Sequence, residues 1–368
     1  MPTHLTSRER LERVLRGQPT DRVPIRLWWV DPLAPAPRPE WQFLHDMVYD
    51  LGLDVFFSWF GEQSSPAVAI VKETREILNS EWFEEVTTYQ TPAGEISSIF
   101  MRNYLGKPGY EKKYLIESVE DAKRWLSLPE DDLPGVATFP ARRAQAGDRG
   151  MVFAAIDEPM GRVNLLMGSE LWGIWLYDER DLLHELVAKA ARRDYAVAKH
   201  FVEQGVGPLF GWVGPEVCIP PLASPRDFDE FVTQYDKPII DLIHNAGGLV
   251  WVHCHGDMDP VLERFADMGV DCLNPLEPPP IGRLTLADAK RRVGNRMTLE
   301  GGFEVGDLEL NTPEEITATV AEIMEMGKPG GRYIMCPSSD HTHWPDMNAH
   351  ITENYRVFIE TSLQLAEY

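Results

Sequence analysis

Apolar positions in this chain gather into short runs. Between the runs they recur every three or four residues, the alternation expected of buried strands joined by amphipathic helices. Eight strands are predicted: Ile25-Arg26-Leu27-Trp28-Trp29, then 54–60, 151–156, 206–212, 249–252, 270–273, 297–299 and 332–335. Helices are predicted over 8–16, 41–51, 118–128, part of 131–148, 165–175, 180–204, 226–245, 259–268, 285–293, 312–326 and 346–366. Ser7, Ser224 and Thr312 read as N-caps, with Pro225 and Pro313 at first helical positions. One stretch breaks the rhythm. In 84–104, two β-prone runs flank Thr91-Pro92-Ala93-Gly94, a hairpin signal read as an insertion beside the main sheet.

Strands alternating with helices imply a parallel sheet. The expected fold is α/β: a (β/α)8 TIM barrel in a single domain over 1–368, with an N-terminal helical extension and the hairpin insertion. Gly301-Gly302 and Gly330-Gly331 lack the spacing of a phosphate-cradling loop, so nothing points to a dinucleotide fold. A doubly wound open sheet is the competing architecture.

Composition narrows the partners. A formal net charge of −23 on 368 residues disfavours nucleic acid and anionic membrane surfaces. No apolar run approaches the roughly 20 residues of a membrane span. The polar start, 1–17, lacks the apolar centre of a secretory leader, so a cytoplasmic location is expected. Cys218, Cys254, Cys272 and Cys336 have no close C-x-x-C spacing, and read as free thiols, metal ligands or core fillers. Trp28, Trp29, Trp59, Trp212 and Trp344 fall near predicted strand ends, where aromatic walls line pockets; core packing is the alternative for each.

In such a barrel the reactive groups sit at the C-terminal strand ends. The fifth strand ends in Val252-His253-Cys254-His255-Gly256. Alternation puts His253 and His255 on one face and Cys254 on the other. The pair reads either as the start of a zinc or iron site or as hydrogen-bonded residues lining a pocket. Other strand ends supply Asp157, Glu158, Glu216, Cys218, Asn274, Glu277, Glu300, Cys336, Asp340, His341 and His343. Glu277 has the alternative of bracing its loop, and Cys336 that of a packed thiol.

Several blocks, in order, resemble uroporphyrinogen decarboxylase-like proteins. They are the opening Thr6-Ser7-Arg8-Glu9-Arg10-Leu11 through Pro24, Pro221-Leu222-Ala223-Ser224-Pro225-Arg226-Asp227-Phe228, 268–278, and Leu299-Glu300-Gly301-Gly302. The resemblance implies a (β/α)8 barrel. True decarboxylases of this kind carry an arginine-rich motif after the first strand; here that place holds Trp28-Trp29-Val30-Asp31-Pro32, with Arg26 inside the strand. An acidic, aromatic mouth is a poor receptor for a polycarboxylate. The other branch comprises zinc-dependent methyltransferases. Its ligand pattern maps onto His253, His255, Glu277 and Cys336, with His255 where the family has Cys, and Cys336 ahead of the usual cysteine position near Ser339.

What this resemblance implies is a zinc-dependent methyltransferase or O-demethylase component acting on a small methylated substrate. Trp28, Trp29, Trp59, Trp212 and Asp157 would bind the substrate. Glu216, Asp340, His341 and His343 would handle protons or orient groups. The chain has no corrinoid-binding motif, so cobalamin would come only through a partner corrinoid protein. A metal-free decarboxylase-type lyase is the alternative, and a non-catalytic partner in a corrinoid methyl-transfer system a second. A homodimer is left open.

Overall fold

The computed structural model describes residues 4–340 and 347–368. Its strands, in chain order, are β1 (Val55–Trp59), β2 (Ile70–Glu76), β3 (Trp82–Thr91), β4 (Gly94–Asn103), β5 (Tyr110–Lys113), β6 (Gly150–Ala155), β7 (Leu209–Val213), β8 (Leu249–His253), β9 (Cys272–Leu276), β10 (Thr298–Gly301) and β11 (Tyr333–Ile334). Seven of them form a curled parallel sheet in the order β1-β6-β7-β8-β9-β10-β11. The other four, β2-β3-β4-β5, form a separate antiparallel sheet. The segment read as a hairpin, 84–104, is the middle of that sheet. The flanking strands escaped the sequence pattern because β2 is exposed along almost its whole length and carries no apolar alternation.

The strand expected at 25–29 is reduced to one parallel bridge, Ile25 to Met335. The Arg26 N–H donates to the Met335 carbonyl (2.9 Å), and the Asp54 N–H donates to the Ile25 carbonyl (2.9 Å). The segment thus touches both edges of the sheet without pairing along either. Pro24 has no N–H to give a ladder, and Trp29 turns away at φ 50°. The parallel sheet therefore has seven strands where the sequence led us to expect eight.

Alternation sorts the side chains of this sheet into two layers. Phe56, Met151, Phe153, Leu209, Leu249, Trp251, Cys272, Ile334 and Cys336 cluster on the inner face. Their neighbours Phe57, Val152, Phe210, Val250, Leu273 and Leu299 join the larger core beneath the helices. Gly211 lies opposite Trp251, where a Cβ would stand 2.2 Å from the Trp251 carbonyl oxygen and 2.4 Å from the Phe153 ring, so only glycine lets the three pack.

The inner layer also holds charge. The Arg26 guanidinium pairs with the Glu300 carboxylate, both buried, and lies 3.8 Å over the Phe56 ring. Trp251 Nε1 donates to the second Glu300 oxygen at 2.7 Å.

A second buried ion cluster fastens the N-terminal helix Ser7–Leu15. That helix is capped by Thr6, in a reciprocal box with Glu9, one residue earlier than the expected Ser7. Arg10, buried, donates to Asp54 at 2.8 Å, to both Asp21 oxygens at 2.7 and 2.8 Å, and to the Leu5 carbonyl at 2.8 Å. Arg22 donates to the other Asp54 oxygen at 2.8 Å. Among the described residues no helix is long and apolar enough to cross a membrane.

Removing Arg10 leaves Asp54 buried with half its counter-charge. Arg10→Met should cost about 3–5 kcal/mol in urea unfolding. The pH dependence follows from Asp21. Burial opposes its charge, but Arg10 and the Leu5 N–H hold its carboxyl down to about 2. Its contribution to stability is full above the ordinary aspartate value of about 3.9 and is lost as pH falls through about 2. In Arg10→Met that acid-side loss should start at higher pH; identical acid transitions in both proteins would refute the clamp.

Candidate active site

The site begins at the end of β8. His253 is the last strand residue, on the same face as Leu249 and Trp251. Its ring stacks on Trp28 at 4.3 Å between centroids. Nδ1 lies 2.7 Å from Asn274 Oδ1, on the neighbouring β9. Burial, then the charge of His255, pushes its pKa down to about 3, so the ring is neutral. Donation from Nδ1 to the amide oxygen assigns the lone pair to Nε2.

His255 follows two residues on, edge-to-face with His253 at 4.5 Å. Its Nδ1 is 2.8 Å from Glu277 Oε1, while Glu277 Oε2 accepts from the Gly256 N–H at 2.5 Å. Gly256 turns the chain at φ 111°, which suits glycine. Burial works against charge on His255, but the Glu277 carboxylate outweighs it and raises the imidazole above its ordinary value. Glu277 is itself buried after β9, so its two oxygens fix both the ring and the turn that carries it.

Beside this pair opens a cavity of about 570 Å³ at the ends of β6 and β7, lined among others by Trp29, Phe60, Asp157, Arg162, Trp212 and Glu216. Glu216 sits on the short turn Glu216–Cys218 and links the cavity to the histidines. Burial raises its carboxyl to about 7; the positive charge and backbone hydrogen bond of His255 pull the other way, and the charge of Glu277 adds to the rise. Asp194 also borders the cavity, and Glu158 stands behind its wall. Asp194 is lifted to about 7 by burial against the pull of Arg162, and Glu158 to about 8 by burial against the two N–H groups it caps. Both arginines on the cavity wall are engaged: Arg162 pairs with Asp157 and with Asp194 (2.7 Å), and Arg193 donates to the Asp131 and Asp132 carbonyls.

The expected site residues divide accordingly. Trp29, Trp212, Asp157 and Glu216 line the cavity. Trp28 lies in the inner layer beneath it, under His253. Trp59 does not reach it: three residues from the inward Phe56, it faces outward, packing on Phe139 and Phe201 and donating to Thr138 at 3.0 Å. Asp340 borders a small crevice with Trp28, Trp41 and Tyr355. His341 and His343 lie outside the described residues. Arg162 and Asp194 were missed. They stand on different helices with no motif between them, whereas Glu158, read only as a strand-end acid, caps the helix that begins at Pro159, six residues before the expected start at 165.

The set His253, His255, Glu277 and Cys336 does not fit a zinc centre. Among the described residues no three His, Cys, Asp or Glu side chains converge in a way that could hold a metal ion. Glu277 is used by His255 and Gly256. Cys336 packs in the inner layer with Ile334 and Cys272, because the residue after next to a strand's inward side chain is inward too. Cys254 is buried on the opposite face.

These features define a parallel α/β scaffold with a carboxyl-lined cavity at the strand ends. The family model described as Uroporphyrinogen decarboxylase (URO-D) matches residues 107–361, and the chain belongs to that family. Similar curated proteins include the uroporphyrinogen decarboxylase of Pseudoalteromonas translucida (strain TAC 125), 29% identical over 271 residues covering 68% of this chain and 70% of that protein. That of Nostoc sp. (strain PCC 7120 / SAG 25.82 / UTEX 2576) is 24% identical over 260 residues, covering 64% of this chain and 65% of the relative. Among solved structures, a methyltransferase from Methanosarcina mazei superposes with a TM-score of 0.62 at 17% identity, over 98% of this chain and 99% of that one. This likeness is one of fold.

Two measurements check the site. In an NMR titration His255 should titrate above the ordinary histidine value of about 6.5, and Glu277→Gln should lower it toward or below that value. No change on that substitution would mean the pair does not form. Protein purified without an affinity tag should hold no stoichiometric zinc. One equivalent, lost in a His253→Ala His255→Ala variant, would overturn the reading of the donor set.

Proposed function

We propose that the protein removes a methyl group from a small, neutral or cationic methylated substrate held by the cavity's aromatic wall, with Glu216 as the general acid. One observation carries this reading: a half-buried carboxyl, raised to about 7, lies between an aromatic cavity and the His255–Glu277 pair. As the methyl leaves as a cation for the acceptor, the electrons of its bond stay on the substrate. On the oxygen or nitrogen of a neutral substrate the Glu216 proton neutralises the charge left behind, whereas a cationic nitrogen becomes neutral with those electrons and needs no proton. His255, held by Glu277, orients Glu216 and keeps its carboxylate form accessible for the next proton. Trp29, Phe60 and Trp212 exclude water and favour a flat or cationic group. The methyl acceptor is supplied by a second component, a corrinoid protein on the reading drawn from the family resemblance. No step is assigned to zinc. The same reading treats 24–26 as a vestigial eighth stave of a closed barrel.

The engaged arginines count against a porphyrinogen substrate. Arg26 is buried in the floor against Glu300, and both cavity arginines are ion-paired or hydrogen-bonded. A polycarboxylate would find no free guanidinium fork there. A decarboxylase-type lyase on a smaller substrate is the second reading. The names of the curated relatives favour it, and Glu216 could equally protonate the carbanion left by carbon dioxide.

Assays with candidate substrates separate the two. Methylated acceptor without carbon dioxide supports the first reading; carbon dioxide release supports the second. In either case kcat should be level below pH 7 and fall as Glu216 loses its proton above about 7. Glu216→Gln should lower kcat by about 10²–10⁴-fold with KM little changed. A variant with unaltered kcat would remove Glu216 from the mechanism.

A further inference from the structure

Residues 159–167 form one wall of the cavity: Met160, Gly161, Arg162, Asn164 and Leu165 all line it. The segment is a discrete piece. At its far end Gly168, at φ 75° and ψ 161°, breaks the helix Pro159–Asp178 in two. A Cβ there would stand 2.6 Å from the Tyr114 ring, so the break is built on glycine. At its head Glu158 accepts from the Met160 N–H at 3.1 Å and from the Gly161 N–H. One carboxyl group thus fastens the near end of the wall.

A second carboxyl stands behind it. Asp236 lies on the helix Gln234–Asn245, in the core-facing stripe of Val232, Ile239, Ile240 and Ile243. It is 1% exposed, as is Glu158, and lies within hydrogen-bond reach of it. The groups around the pair are acids too: Asp194 on the helix Arg180–Glu203, and Glu216 and Cys218 on the short turn. Among the described residues no cation pairs with either carboxyl. Arg162 is engaged by Asp157 and Asp194, and Arg180 by Asp227 and Glu230. Two buried carboxyls in contact without a cation cannot both ionise, so the pair keeps a proton at neutral pH. The hydrogen bonds locate it. Both Glu158 oxygens already accept N–H groups. Asp236 Oδ1 has no partner, which suits the carbonyl of a neutral acid whose other oxygen donates. The proton held longest is therefore that of Asp236.

We propose that Asp236 is a positioning residue: a neutral acid that donates a hydrogen bond to Glu158 and so latches the wall segment 159–167 in place. When the segment swings out, water reaches the pair. The Asp236 carboxyl then returns to its ordinary value of about 3.9 and gives its proton to solvent. Burial raises that value in the closed state, so the latch is tightest below about 3.9 and loosens as pH rises. An asparagine would make the same bond with no proton to lose. The latch serves the wall whichever bond is broken in the cavity.

Hydrogen exchange read by mass spectrometry on the full chain tests this, between about pH 7 and about pH 9, with rates corrected for those of free amides. In the wild type, protection of 159–167 should fall at least about tenfold per pH unit, because opening releases a proton, while 169–178 beyond Gly168 holds. Asp236→Asn should flatten that slope by about tenfold per pH unit. The infrared difference between the two proteins at neutral pH should show the C=O stretch of a protonated carboxyl in the wild type alone. Circular dichroism checks that the variant is folded; if it is not, the wild-type pH series decides by itself. Protection of 159–167 that ignores pH overturns the inference. So does a fall shared equally by 169–178, an undiminished slope in Asp236→Asn, or the absence of the acid carbonyl from the difference spectrum.

Discussion

The ion pair of Arg26 with Glu300 sits where the sheet's inner layer would otherwise be wholly apolar. Both groups are buried, and separating them would strand a charge at a cost of about 3–5 kcal/mol. The pair anchors the irregular segment 24–26 to β10, which compensates for the lack of a ladder there. Glu300 also takes the Trp251 N–H, so the indole is held flat in the inner layer. Trp28 stacks on Trp251 at 5.5 Å and on His253 above it. The first imidazole of the site thus rests on a column whose base is a carboxylate.

The same arrangement shapes the chemistry above. Arg26 is committed to the floor, and Arg162 and Arg193 to the wall. What remains for a ligand is chiefly aromatic surface and carboxyl groups, with the Asn164 amide and the Ser64 hydroxyl. Low solvation then acts in one direction on those carboxyls: Glu158, Asp194 and Glu216 all rise toward neutral pH. His255 escapes the opposite drift chiefly because Glu277 faces it, with the charges of Glu216 and Glu304 adding to the rise. A carboxyl raised to about 7 beside an imidazole raised above its ordinary value is what supports the proton-handling role proposed for this site.

Much of this was legible in the chain. The β8 segment was readable as a strand from its apolar run, and parity alone put His253 and His255 together with Cys254 opposite. Glu277 was legible as a loop residue with two roles, and it is the bracing role that the geometry bears. The convergence of Trp29, Asp157, Glu216 and Trp212 at neighbouring strand ends followed from the barrel rule. Other features were not readable. Trp59 was misplaced because nearness to a strand end does not say which face a residue takes. The antiparallel sheet was seen only as its central hairpin, since β2 and β5 lack buried alternation. Arg162 with Asp194 joins two helices through one contact that no spacing encodes.

Local rules act over a few residues, so the sequence by itself determined most of the helices and the strands of the parallel sheet, their order, the acid-rich and tryptophan-rich strand ends, and the family. Register across the sheet depends on which long-range contacts a side chain can make, and that only the tertiary structure decided. It placed Cys336 beneath the site with Cys272 instead of beside the histidines. It turned Arg26 inward to Glu300, and it set Glu277 against His255. Whether a ligand-like residue becomes a metal donor, a brace or a core filler depends on what stands within about 3 Å of it, because hydrogen bonds and ion pairs act only at that range.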